Sequence, residues 1–512
     1  MGSVSKGWAA FARFSAGRFG AWAIVAVILA AAAIIRALYF IGFALGDDLT
    51  YFFMSRSMLN GQWPVYSYLN QYAYRPLLLL SLAGSFRLFG ISDFSFIFPV
   101  LAASLLGIVI AFVLGRMLFN TQTGLIAALL LAVMPASVFN SVTFDNDVIV
   151  ATTMGIVMLW YAQAREAEGR WQAALFASAG FMLVIAYLFK MTALFLLGVT
   201  AAISVADFFS RKRSAAAVWF YGSFAFFFGL VLCFYKFKTG EFLWHFQAER
   251  VYYETHIPDF YMSGTYNLYG MLIQYPLHLF SLLHIDGAVF LEFGLYAYFF
   301  AAAAAFVLWR EQKRTPACIL LWWVIVLFAV LEFLPSNMHP WYLPIPRQER
   351  YLEIIALPMA VIIARGLWLL ARRHRAWAAA LFAVLAVHAC INTHARCSLV
   401  QDSIADLKLV AQWLCEHHAG EVYVDEPALS QLVFRTSACG TRVVRFDELK
   451  KGPPAKGAYV ISGGSRIYLW ALQFIRCVED ENLGFPLTPV LSYPPPRSPR
   501  SKGALVLYRY DG

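Results

Sequence analysis

Apolar residues dominate the chain in runs of about twenty, separated by short polar breaks. Crossing roughly 30 Å of hydrocarbon takes about 20 helical residues. Runs long enough fall near 20–43, 94–115, 124–142, 147–163, 172–189, 192–208, 216–235, 286–308, 317–334, 353–371 and 376–392. The pattern predicts an α-helical polytopic membrane protein with about eleven transmembrane helices. From Ser398 onward the pattern becomes mixed polar. "DLKLVAQWLCEHH" (406–418) reads as an amphipathic helix, and "EVYVDEP", "GAYVISGG" and "ALVLYRY" read as short strands. A proline-rich loop, "YPPPRSPRSKG" (493–503), precedes the last strand. The expected organisation is a transmembrane module, 1–392, followed by a small soluble α/β domain, 393–512.

Composition agrees, since 61% of the 512 residues are hydrophobic and 14% are charged, against about 25% charged in soluble domains. The net charge of +10 is not a nucleic-acid signal, because Lys and Arg gather in short loops between apolar runs. Arg13 and Arg18, Arg116, Arg165 with Arg170, "RKR" (211–213), "REQKR" (310–314) and "RRHR" (372–375) fall in alternate loops. The positive-inside rule makes that side cytoplasmic, the N-terminus included. The first run then reads as an uncleaved signal anchor in an inner (plasma) membrane. The opposite, periplasmic side is expected to hold the loop 44–93, the turn 143–147, the loops 236–285 and 335–352, and the C-terminal domain. Seven dispersed cysteines form no C-x-x-C pair. Of these, Cys397, Cys415, Cys439 and Cys477 lie on the oxidising side, where one or two disulfides of unassigned connectivity fit.

Acids at a membrane face are costly to bury and mark function. Asp47 and Asp48 in "FALGDDLTYFF", and Asp145 and Asp147 in "TFDND", follow two different spans on the same expected face. Together they could supply a general base. The D-x-D spacing at Asp145 and Asp147 is also compatible with a divalent cation. Asp47, Asp48 and Asp147 read equally as caps of helix N-termini. Cations accompany them: Arg75 before Pro76 in "AYRPLLLLSL", Lys190 between two apolar runs in "YLFKMTALFLL", and Arg347 and Arg350 in "PIPRQERYLE". Such residues suit a lipid-linked phosphate, with interfacial snorkelling as the alternative. His245, His256, Glu249, Glu254 and Asp259 in "HFQAERVYYETHIPDFY" match no zinc signature, and they read as a polar aromatic loop. Lone histidines there, like His339, are expected at the surface.

The order of these pieces ("GDDLTY", "YRPLLLLSLAGSFRLFG", "FDNDVIVATTMGIVMLWYAQA", "KMT", "RYLEIIALPMAVIIA") resembles a known family. It is similar to the GT-C glycosyltransferases of the protein O-mannosyltransferase and aminoarabinose (lipid A) transferase superfamily, glycosyltransferase families 39 and 83. That resemblance covers about residues 20–392. It implies that Asp47 corresponds to the catalytic aspartate of D-E-x-x-Y, with Asp48 where glutamate is usual and Tyr51 at the tyrosine. Arg75 stands at the lysine of K-P-P-L, Lys190 at the lysine of T-K-G-P, and Asp145 at the second-loop acid. The replacements D-D, R-P-L and K-M-T leave the donor sugar and acceptor open.

The activity implied by the resemblance is transfer from a polyprenyl-phosphate sugar donor to a membrane lipid or glycan, such as lipid A or lipopolysaccharide core, with inversion and an Asp base. A protein acceptor is the alternative. A lipid-linked glycan flippase would instead show repeats and charges near mid-membrane, and neither pattern is evident. A non-catalytic scaffold would leave the acids as caps.

Overall fold

In the computed structural model the described residues are 18–44, 46–68, 70–209, 215–262, 276, 293–311, 315–337, 343–344, 349–424, 426–445, 448–449, 452–462, 487–493 and 505–511. Among them, nine helices are long and apolar enough to cross a membrane. The pair Thr121–Val133 and Pro135–Val142, bent by 53°, makes a tenth span if read as one. The expected span 286–308 is described only from residue 293 and contains the helix Leu295–Arg310. Each of the eleven apolar runs therefore coincides with a helix or bent pair.

Local chemistry sets many of the helix ends. Ser92 caps Asp93–Leu118 in a capping box with Ser95, Asn120 caps Thr121–Val133, and Asp145 caps Asn146–Glu166. Pro76 occupies the first turn of Pro76–Phe89, where its missing N–H costs nothing. Spans approach closely through small residues. A Cβ on Gly124 would meet the Phe112 carbonyl at 2.3 Å, so Asp93–Leu118 and Thr121–Val133 cross with their backbones in contact.

The bend at Pro135 has a partner that sequence reading did not single out. The break interrupts the helical bond to Ala132, and the guanidinium of Arg36 donates to that carbonyl at 3.2 Å. Arg36 also donates to Ser104, Ser137 and the Ala32 carbonyl. An arginine in hydrocarbon must satisfy its donors internally. Here it fastens the first span to the broken one.

Two boundaries differ from expectation. The first span ends at Leu38 rather than near 43, leaving residues 39–44 as irregular chain. The last span and the amphipathic helix merge into one 42-residue helix, Arg375–Glu416, which crosses residue 392 without a break. Beyond it stands a five-stranded mixed sheet. Glu421–Val424 lies between parallel partners Arg442–Arg445 and Tyr459–Ser462, followed by antiparallel Leu505–Tyr510 and Leu487–Tyr493. The helix Glu426–Arg435 makes the crossover between the first parallel pair. Cys415 and Cys439 form a disulfide, Cys397 is free and buried, and Cys477 lies outside the described residues.

Candidate active site

Short helices between the spans bring the acids and cations together. Gly46–Leu59 starts with Asp47 and Asp48 in its first turn, where carboxylates complement the helix dipole. Asp48 turns inward, 1% exposed, and accepts from the Ala44 amide at 3.2 Å. Asp47 faces outward, with 46% of its side chain exposed. It accepts from the Tyr72 hydroxyl at 2.9 Å and lies 3.6 Å from the Arg350 guanidinium. Of the four aspartates singled out in the sequence, Asp47 is the accessible one, because Asp145 and Asp147 are as buried as Asp48.

Asp145 spends one oxygen on the Asp147 amide, at 2.9 Å, and its other oxygen has no hydrogen-bond partner. Burial and the neighbouring Asp147 raise its carboxyl above the usual carboxylate range, against the pull of Arg350 and Lys190. Asp147 accepts from the Lys190 ammonium at 2.6 Å. That ammonium also sits 4.3 Å from the centre of the Tyr351 ring. Burial lowers the Lys190 pKa and Asp147 raises it, with the net direction down.

Arg75 is held differently. Its guanidinium donates to the hydroxyls of Tyr51 and Tyr74 and lies 5.3–5.9 Å from the ring centres of Tyr51, Tyr72 and Tyr74. Among the described residues no carboxylate is within ion-pair distance of it, and its Nε has no hydrogen-bond partner. Tyr74 in turn donates to Glu249 on the helix Trp244–Met262. Asn146 donates to Tyr51 at 3.4 Å, linking this cage to the "TFDND" turn.

Asp47, Asp48, Tyr51, Arg75, Asp145, Asp147, Lys190 and Arg350 thus share one end of the bundle, whereas Arg347 lies outside the described residues. Tyr72, Tyr74, Asn146, Glu249 and Tyr351 join them although sequence reasoning did not assign them to the site. For the three tyrosines the signal was adjacency: "YAYR" and "RY" place them beside the two arginines. His245, expected at the surface, is fully buried among the rings of Tyr187, Tyr235 and Phe246. Burial pushes its pKa down to about 4. His256 and His339 lie outside the residues whose side chains are described. Among the described residues no group of three or more His, Cys, Asp or Glu forms a metal site, and the charge of Asp147 is met by Lys190.

The fold defines the class first: a polytopic membrane protein whose charged site lies at one end of its spans. Residues 75–235 match the model of the dolichyl-phosphate-mannose-protein mannosyltransferase family. The architecture is similar to that of ArnT from Cupriavidus metallidurans in the apo state, with a TM-score of 0.59 at 12% identity over 94% of this chain and 97% of that one. The same protein bound to undecaprenyl phosphate gives a TM-score of 0.56 at 15% identity over the same shares. The oligosaccharyltransferase AglB from Archaeoglobus fulgidus, in complex with an inhibitory peptide and a dolichol-phosphate, gives 0.52 at 15% identity over 80% of this chain and 63% of that one. No curated protein sequence matches the chain significantly. The chain thus shares the fold of these membrane proteins, and its residues 75–235 are similar to the mannosyltransferase family.

Proposed function

We propose that this chain transfers a sugar from a polyprenyl-phosphate-linked donor to a lipid or glycan of the cell envelope, on the periplasmic face of the inner membrane. The observation that carries this reading is the pairing of an accessible acid, Asp47, with Arg350, at the same end of the bundle as the buried cations Arg75 and Lys190. Asp47 takes the proton of the acceptor hydroxyl. The resulting nucleophile displaces polyprenyl phosphate in line at the anomeric carbon, with inversion. The leaving group departs as a phosphate, so charge stabilisation replaces a strong general acid. Arg75 is the first cation for that phosphate because among the described residues no carboxylate pairs with it. Arg350 bridges the phosphate side and Asp47, while Lys190, already paired, adds positive potential behind them. The structural likeness to proteins holding undecaprenyl phosphate and dolichol-phosphate supports the donor class.

The test compares cells lacking the chain after re-expression of wild type or Asp47→Asn at equal levels. Mass spectrometry of envelope lipids and glycans is expected to show a sugar adduct with wild type alone. For a lost general base the rate falls on the order of 10²- to 10⁴-fold. Identical glycan profiles for the two proteins would remove the reading.

A further inference from the structure

We infer that the C-terminal unit positions the acid of the active site, with Phe434 and Arg435 clamping the chain segment that delivers Asp47. The inference rests on the reading of Asp47 as the base. Residues 39–44 connect the first span to the helix Gly46–Leu59 and have no helix or strand of their own. Such a segment keeps one course only if other parts of the molecule satisfy its backbone groups.

The carbonyls among them are taken up from the far end of the sequence. The carbonyl of Phe40 accepts from Gln401 at 3.0 Å, that of Ile41 from Lys408 at 2.7 Å, and that of Phe43 from Arg435 at 3.1 Å. The amides of Ile41 and Gly42 donate to the Val142 carbonyl at 3.3 and 3.1 Å. The amide of Phe43 donates to Asp93 at 2.9 Å. Arg435 pairs with that same Asp93 carboxylate, so one guanidinium grips both the segment and the residue holding it. The Phe434 ring stacks on Phe43 with centroids 4.2 Å apart and planes 6° apart, and it also meets Phe52 and Phe96. Gly42 allows the turn, with φ at +88°, and a Cβ there would sit 2.5 Å from the Asp93 carboxylate. The clamped segment ends at Ala44, whose amide is bound by Asp48, the neighbour of Asp47.

Among the described residues, Phe434 and Arg435 touch none of the acids or cations of the site, so they are positioning residues. Arg75, Lys190 and Arg350, which would hold the donor phosphate, are not clamped by them. Loosening the clamp therefore disturbs turnover and spares phosphate binding.

The experiment uses purified full-length protein, with undecaprenyl phosphate as the binding probe and the donor sugar that yields the envelope product as substrate. Arg435→Gln and Phe434→Ala are expected to speed amide exchange in residues 39–44. Undecaprenyl phosphate affinity should stay within about twofold of wild type, while kcat falls on the order of 10²-fold, as misplacement of a reacting group by an ångström can cause. Arg435→Lys keeps one contact and recovers part of the rate. Unchanged exchange in 39–44, or exchange that rises with kcat intact, overturns the inference. So does a parallel loss of phosphate affinity and thermal stability, the mark of general unfolding. If wild type itself has no transferase activity, the functional reading falls, and the exchange measurement still decides whether the clamp exists.

Discussion

The ammonium of Lys190 lies 2.6 Å from the carboxylate of Asp147, and both side chains are almost wholly shielded from solvent. Removing one member of such a pair leaves the other charge buried and unmet, at a cost of about 3–5 kcal/mol. Lys190→Met should therefore lower the thermal stability of the detergent-solubilised protein markedly. The double variant Lys190→Met/Asp147→Asn should recover most of the loss, and thermal unfolding of the wild type and both variants checks this.

Arg75, caged by three tyrosines, should govern affinity for the donor phosphate. Arg75→Ala is expected to weaken undecaprenyl phosphate binding by about 1.5–3 kcal/mol, the range of a charged hydrogen bond. Arg75→Lys keeps the charge and loses the planar fork, so its affinity should lie between the two. Calorimetric titration of the three proteins ranks them.

Asp145 should make activity and stability respond oppositely to pH. Its raised pKa means that the folded state binds this proton more readily than the unfolded state does. Its contribution to stability is therefore full below the unfolded pKa and is lost as pH rises through the folded pKa. Activity should run the other way, falling as the pH drops through the folded pKa, because ionised Asp145 helps hold Arg350 beside Asp47. Asp145→Asn should flatten both profiles, which paired pH–rate and pH–melting curves would reveal.

The disulfide between Cys415 and Cys439 closes a loop of 24 residues around the helix that ends in Phe434 and Arg435. Chain entropy assigns such a loop about 3 kcal/mol. Cys415→Ser should lower the stability of the C-terminal unit by that order and raise amide exchange there. The other membrane spans, which share none of that loop, should keep their protection.

The apolar runs by themselves determined the membrane class and the eleven helical segments, because a backbone in hydrocarbon must bond internally and helices do so within one continuous run. Local chemistry was legible too: Pro76 acts within the first turn of the helix it opens. The acids and the cations Arg75, Lys190 and Arg350 were legible as charges without a packing reason. What each charge faces was decided by tertiary structure alone. Asp47 and Asp48 are neighbours in one helical turn, yet one is exposed and the other buried, since only the three-dimensional packing chooses the face. Likewise Lys190 found Asp147 across 43 residues, and Arg435 found Asp93 across 342. Contacts of that separation depend on how whole helices cross and dock, and residue order along the chain carries no trace of it.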